Sequence, residues 1–444
     1  MTAAPAARER AAVGLTSLWR QTCTFPPAAR LLMVNQFAIN LAFYMLMPYL
    51  AAHLSGDLAL AAWAVGLVLG VRNLSQQGMF LIGGTLADRY GYKAPILAGC
   101  VLRTAGFALL GWVDALPALI VASAATGFAG ALFNPAVRAC IATAAGDRRV
   151  AAFATFNVYY QAGMLLGPLA GLALLAADFR LVCTVAAAIF AGLTVLQWRA
   201  LPVATGRGGT DGRQREGVLA QWRTVVANRP FLLFSVAMIG SYVLTFQVYL
   251  ALPLAAGAAL GDAGTKATSA LFVVSAAVAV LGQLRLTGWA RSRWTASQAL
   301  VRGLAAMGLG FLPLAAVPMG GGTVTTVGAL AALAVAVVLL AAGGAVVYPF
   351  EMDTVVSLSG ERLVATHYGL YNTVSGLGIT LGNLGVGALW DFALRQDALW
   401  LVWLALTATG AACAGAVLAL SRSGRLAAPD LCEAVANTAM TRRF

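Results

Sequence analysis

The chain has 444 residues, of which 60% are hydrophobic and only 10% charged. Soluble proteins carry about 25% charged residues, so this sequence lacks the charge to cover a water-facing surface, and lipid must cover much of it. The formal net charge of +13 does not point to nucleic acid, because the arginines sit in segments that flank long apolar stretches.

Residues 1–30 carry Arg8, Arg10, Arg20 and Arg30 without an apolar core. No cleavable signal is expected there, and the first apolar segment should itself direct insertion. Charge-free windows such as Leu31–Gly56, Ala115–Val137, Val150–Ala177 and Pro230–Gly261 exceed the roughly 20 residues that cross a bilayer as helix. Gly303–Phe350 is long enough for two helices, with Pro313, Pro318 and Gly320–Gly322 supplying the turn. Twelve spanning helices are predicted, over 31–53, 60–82, 94–113, 117–138, 152–176, 181–201, 230–252, 266–288, 297–316, 324–349, 365–389 and 398–420.

Between the second and third helices lies Gly84-Thr85-Leu86-Ala87-Asp88-Arg89-Tyr90-Gly91-Tyr92-Lys93. Charge and two glycines interrupt a sequence that otherwise avoids charge, so the run reads as a short loop at the water boundary. The positive-inside rule then sets orientation. Arg89, Lys93, Arg148, Arg149, Arg207, Arg213, Arg215, Arg223, Arg229, Arg291, Arg293 and Arg362 fall on one side, with both termini, and Arg180, Lys266 and Arg395 on the other. Both termini are expected in the cytoplasm of a bacterial-type cell, with the helices in its inner membrane.

The organisation follows as a cytoplasmic segment 1–30, a six-helix bundle 31–202, a cytoplasmic linker 203–229 rich in Gly and Arg, a second six-helix bundle 230–421 and a cytoplasmic tail 422–444. The halves echo each other. The fourth helix ends Gly130-Ala131-Leu132-Phe133-Asn134-Pro135 and the tenth Gly344-Ala345-Val346-Val347-Tyr348-Pro349. Asn157, Gly163 and Gly167 on the fifth recur as Asn372, Gly378 and Gly382 on the eleventh, and Gly288 to Arg293 echoes Gly84 to Arg89 with Ser292 in place of Asp88. Two parallel repeats with a site between them form a transporter architecture.

At these residues the chain resembles the major facilitator superfamily. Its signature Gly-x-Leu-Ala-Asp-Arg-x-Gly-x-Lys is matched by Gly84, Leu86, Ala87, Asp88, Arg89, Gly91 and Lys93, with Tyr92 where a basic residue is usual. Gly163-x-x-x-Gly167-Pro168-x-x-Gly171 is similar to the motif of the family's drug/proton antiporters, and Val65–Gly111 and Asp178–Cys183 resemble multidrug-resistance proteins of the MdtH type. The resemblance implies an all-α major facilitator fold of two pseudo-symmetric six-helix bundles. It also implies a cytoplasmic gate in which Asp88 meets the start of the eleventh helix near Thr366, with Arg138 nearby. Asn35 and Asn134 stand where such proteins carry acidic residues on the first and fourth helices, and Ser123 where the wider family has Arg. The first half therefore lacks those two carboxylates, so a proton carrier is not expected at either position.

Other candidates follow from placement. Arg72 and Arg103 lie mid-helix, where an isolated Arg costs about 2.5–3.5 kcal/mol on insertion scales, so they should line a cavity or meet protein. Glu351 and Asp353, just past Pro349, form the acidic pair of the second half and could carry a proton; the competing reading is an exposed helix end that balances Arg362. Asn35, Tyr160, Gln161 and Asn372, with Asn40, Tyr44, Asn157, Tyr242 and Gln247, are neutral polar groups suited to a cavity for lipophilic compounds or to hydrogen bonds between helices. Six scattered cysteines without a CxxC, two histidines and no phosphate-binding Gly-x-x-x-x-Gly-Lys-Ser/Thr give no sign of a disulfide framework, a metal site or ATP drive.

The function expected is a non-enzymatic secondary transporter, exporting small amphipathic compounds by alternating access. It needs no cofactor, runs on a proton gradient and works as a monomer with a small-molecule substrate and the bilayer as its partners. Alternatives are an importer or exporter of a specific natural metabolite and, outside the class, a polytopic membrane enzyme, for which the sequence offers no catalytic cluster.

Overall fold

The computed structural model describes residues 16–175, 178–202, 217–317 and 323–426. Among these every regular element is a helix. Twelve crossings are labelled α1 (Pro27–Ser55), α2 (Ala62–Tyr90), α3 (Lys93–Trp112), α4 (Leu116–Ala145), α5 (Arg149–Leu175), α6 (Phe179–Ala200), α7 (Arg229–Ala237, Ile239–Phe246 and Ala251–Leu260), α8 (Gly264–Arg293), α9 (Ala296–Leu309, continued by Leu312–Ala316), α10 (Thr323–Leu358), α11 (Val364–Arg395) and α12 (Trp400–Arg422). Ten stretches are long and apolar enough to cross a membrane, and one of them, Leu116–Leu175, holds both α4 and α5. The remaining crossing, α2, is diluted by Arg72, Asn73, Gln76, Gln77, Asp88 and Arg89.

Several boundaries differ from the sequence reading. The expected ten-residue loop is almost all helix: α2 runs to Tyr90, and only Gly91, at φ +84°, and Tyr92 separate it from α3. Charge at a membrane boundary does not end a helix whose last turn lies in water. Likewise α4 continues past Pro135 to Ala145 and α10 past Pro349 to Leu358, so Glu351 and Asp353 are on the helix rather than beyond it. A proline removes one backbone hydrogen bond, which neighbouring helices can offset in a packed bundle. By contrast α7, predicted as continuous, is broken at Met238 and again at Gln247–Tyr249. Of the linker, 203–216 lies outside the described residues; Val218–Ala227 is a helix, and Asn228 caps α7 by accepting from the Phe231 amide. The turn at Pro318 and Gly320–Gly322 and most of the tail also lie outside the described residues.

In the first half α1 packs on α5 and α6, α2 on α4, and α3 on α4 and α6; in the second α7 packs on α11 and α12, α8 on α10, and α9 on α10 and α12. The repeat is visible in how small residues are used. Gly163 and Gly167 of α5 meet α1, at Phe37 and Tyr44, while Gly378 and Gly382 of α11 meet α7, at Ile239 and Val243. Close backbone approach through small residues is how membrane helices associate, since lipid removes the hydrophobic drive. Trp63, Trp112, Trp198 and Trp400 are exposed at helix ends, where indole rings anchor at the membrane interface.

Candidate functional site

The halves meet chiefly through α2 on α11, α5 on α8 and α10, and α4 on α11. The α2–α11 seam is tightest at the end that carries Asp88. A Cβ on Gly84 would lie 2.1 Å from the Ala365 carbonyl oxygen, so only glycine fits there. That approach delivers Asp88 to the first turn of α11. Its Oδ1 accepts from the Ala365 amide at 3.1 Å, and its Oδ2 accepts from the Thr366 amide and hydroxyl, both at 2.7 Å. A helix start leaves amides without intrahelical partners and favours negative charge. The residue at the cap position is Leu363, which offers no side-chain bond and sits in the left-handed region at φ +50°. Asp88 thus caps α11 from another helix.

Further ties surround this contact. Arg149, at the start of α5, donates Nε to Asp353 at 2.6 Å and Nη1 to Glu361 at 2.8 Å. Trp222 of the connecting helix donates to Thr85 at 2.8 Å, and Thr373 donates to the Gln77 carbonyl at 3.1 Å. Beyond Gln77, Gly70, Asn73 and Leu74 of α2 and Leu377, Leu381 and Leu384 of α11 are exposed, and a Cβ on Gly66 or Gly70 would meet nothing within 4 Å.

The other expected gate residues take different places. Arg138 crosses to α11 and donates to Asn372 Oδ1 at 2.7 Å. Arg89 stacks on Tyr90, and Lys93 donates to the Leu201 carbonyl at 2.7 Å, tying α3 to the end of α6. Ser292, in the position of Asp88 in the second repeat, bonds the Trp289 carbonyl of its own helix. The contact of Asp88 with α11 therefore has no counterpart at Ser292.

Glu351 is buried in the second half, at 3% exposure. The Tyr371 hydroxyl donates to Oε1, and Tyr242 is also hydrogen-bonded to the carboxyl group. Arg138 lies within electrostatic reach across the seam and also bonds Tyr348. Glu351 and Asp353, two residues apart, so face different surroundings: Glu351 two phenols, Asp353 a guanidinium near the surface.

Deeper in the membrane, Arg72 and Arg103 bracket Phe43 of α1, with guanidinium carbons 5.4 and 4.9 Å from its ring centroid. Arg103 also stacks on Phe190 at 5.3 Å. Tyr160 is hydrogen-bonded to Tyr44, with Tyr249 of the second half close by. Asn35 is buried with its Nδ2 lacking a partner; Asn134 and Gln161 are half-buried. Asn157 donates to Gln283 on α8 at 2.7 Å.

The antiporter-type motif is a packing face within the first half. A Cβ on Gly171 would lie 2.1 Å from the Met45 carbonyl oxygen, and the Pro168 carbonyl accepts from Tyr49 at 2.7 Å. Sequence reasoning missed three features: the Arg149 ion pairs, the Trp222 contact and the two phenols on Glu351. Each joins residues more than a hundred positions apart except Tyr371–Glu351, which joins two helices through a turn, so no local pattern signals them. Among the described residues no three His, Cys, Asp or Glu converge as a metal site.

The family model of the Major Facilitator Superfamily matches residues 32–383. The uncharacterized MFS-type transporter Rv0849 of Mycobacterium tuberculosis (strain ATCC 25618 / H37Rv) is 53% identical over 386 residues, covering 87% of this chain and 91% of the relative. The multidrug resistance protein MdtH of Yersinia pestis (strain Pestoides F) is 30% identical over 381 residues, covering 85% and 90%. The crystal structure of the E. coli fucose:proton symporter FucP superposes with a TM-score of 0.68 at 14% identity, over 88% of this chain and 97% of that one. At that identity the likeness concerns the fold alone.

Proposed function

The chain belongs to the major facilitator superfamily, a multi-pass membrane transporter rather than an enzyme, and from that premise we propose that it exports small amphipathic compounds against proton entry across a bacterial inner membrane, with both termini in the cytoplasm. The observation that carries this reading is Glu351: a buried carboxyl group of the second half, held by two phenol hydroxyls and within electrostatic reach of Arg138 across the seam. Such a group can be neutralised by a proton, and its charge bears on Arg138, which bonds across the seam to Asn372. Protonation of Glu351 frees Arg138 from its attraction, loosening one tie between the halves, while deprotonation restores it. Asp88 on the start of α11 adds a second tie at what the charge bias makes the cytoplasmic end. Exchange of proton for cargo then follows if the two ties are released in turn during rocking. The similarity to a protein named for multidrug resistance supports export of amphipathic compounds.

The test is a panel of drug susceptibilities with and without expression, together with drug-induced collapse of a pH gradient in inverted vesicles. At least one compound is expected to lose potency on expression and to discharge the gradient. Glu351→Gln, which keeps size and hydrogen bonding but cannot ionise, is expected to abolish the discharge while leaving gradient-free exchange of drug for drug. No change in any compound's accumulation, with no response to a proton gradient, defeats the antiporter reading.

A further inference from the structure

The ion pairs among the described residues are His53–Asp57, Arg149–Asp353 and Arg149–Glu361. Arg72 and Arg103 are in none of them, although each lies near the midpoint of its helix. Arg103 is only 6% exposed, and the Nε of both side chains is buried without a hydrogen-bond partner. The bond that Arg72 makes is to the neutral amide of Asn73, at 2.5 Å. Two cations thus share one aromatic ring, Phe43, at 5.4 and 4.9 Å. Stacking on a ring face attracts a cation but supplies no counter-charge, and buried charges in membrane proteins pair or line a pathway.

Arg72 is half-buried, and its neighbours Asn73 and Leu74 on α2 are exposed. Tyr44 and Tyr160, hydrogen-bonded to each other, lie within electrostatic reach of Arg103, and Tyr44 also of Arg72. Tyr249, whose hydroxyl donates to Met164 Sδ at 3.6 Å, approaches from the second half. Arg103 sits behind, adding field without exposure. An aromatic wall beside a guanidinium that has no counter-charge is a recognition surface for a planar oxyanion on an apolar body.

We infer that Arg72, backed by Arg103 across the Phe43 ring, is a subsite for the anionic group of the transported compound, and that the cargo class is the amphipathic organic anion, an aromatic or alkyl carboxylate. This rests on the chain being a transporter and is independent of proton coupling through Glu351. An anionic lipid headgroup presents the same chemistry, so the experiment separates the two sources.

The purified chain is placed in phosphatidylcholine nanodiscs and dialysed to equilibrium against 1-naphthoate, indole-3-acetate or decanoate, the corresponding methyl esters and 1-naphthyltrimethylammonium. At least one carboxylate is expected to be retained ten-fold or more above its ester and above the ammonium compound. Arg72→Gln is expected to weaken that retention at least ten-fold, and Arg72→Lys, which keeps the charge but not the planar guanidinium, to recover only part of it; thermal unfolding reports whether each variant is folded. Discs containing phosphatidylglycerol should show the carboxylate displacing the lipid from the site. The inference is overturned if wild-type chain retains no carboxylate, if ester and carboxylate bind alike, if folded Arg72→Gln binds as wild type, or if phosphatidylglycerol occupies the site and no carboxylate displaces it.

Discussion

Asp88 satisfies three donors on one turn of α11, two of them first-turn amides that the cap residue Leu363 does not bond. Hydrogen bonds to a charged group contribute about 1.5–3 kcal/mol each, so on the proposed function this carboxylate sets how readily that end opens. Asp88→Asn keeps the shape but removes the charge and turns one acceptor into a donor that faces an amide. A cost of about 2 kcal/mol corresponds to a roughly thirty-fold shift toward opening. The expected outcome is amide exchange at 364–367 faster by about that factor, reduced transport and unchanged membrane insertion. Wild-type exchange rates there with unchanged transport would remove Asp88 from the gate. Sequence alone leaves Glu351 and Asp353 as equals, two residues apart past a proline. Their different surroundings depend on which way each side chain leaves α10, and that follows from the neighbours rather than from the spacing.

At the scale of helices, two glycines with the same local chemistry have different duties. Gly171 joins α5 to α1 inside one half, whereas Gly84 joins α2 to α11 between halves. A methyl group in either gap must push backbone aside, an overpacking cost of about 1–3 kcal/mol. Gly171→Ala is expected to lower the thermal unfolding temperature in every state of the transport cycle. Gly84→Ala should leave unfolding nearly unchanged, because separating the halves relieves the clash, while slowing transport by blocking closure of that end. Equal effects on unfolding would show that the α2–α11 seam is structural rather than cyclic. The glycine spacing is legible in the sequence; which helix each glycine meets is not, since the same stripe would serve an intra-half or an inter-half seam.

Across the whole molecule, the described ties between the halves gather at the Asp88 end and at mid-membrane, and α2 makes no close approach at Gly66 or Gly70, beyond Gln77. Alternating access requires this arrangement to reverse. With the native cysteines replaced, a thiol crosslink between cysteines placed at Gln77 and Thr373 is expected to form readily, to stop transport and to release it on reduction. Transport that continues with the crosslink complete would mean that the α2–α11 seam does not open. The repeats, so alike in their glycines, are unlike at this contact. Asp88 reaches α11, but Ser292 bonds only its own helix, and Arg149 with Asp353 and Glu361 stands at that side instead.

The sequence by itself determined that the chain is helical and lives in lipid, because apolar runs of spanning length with almost no charge leave no other way to satisfy the backbone. It also determined the repeat and the family, since both are carried by residues at fixed local spacing: Gly84 to Lys93, and Gly163 to Gly171 against its echo on α11. Only the tertiary structure decided that the charged loop is a helix end, that Arg138 turns to Asn372, that Glu351 lies among phenols, and that Arg72 and Arg103 share one ring without a counter-ion. Each of these is a meeting of side chains from helices distant in sequence, fixed by how the helices pack, and a local pattern carries no record of it.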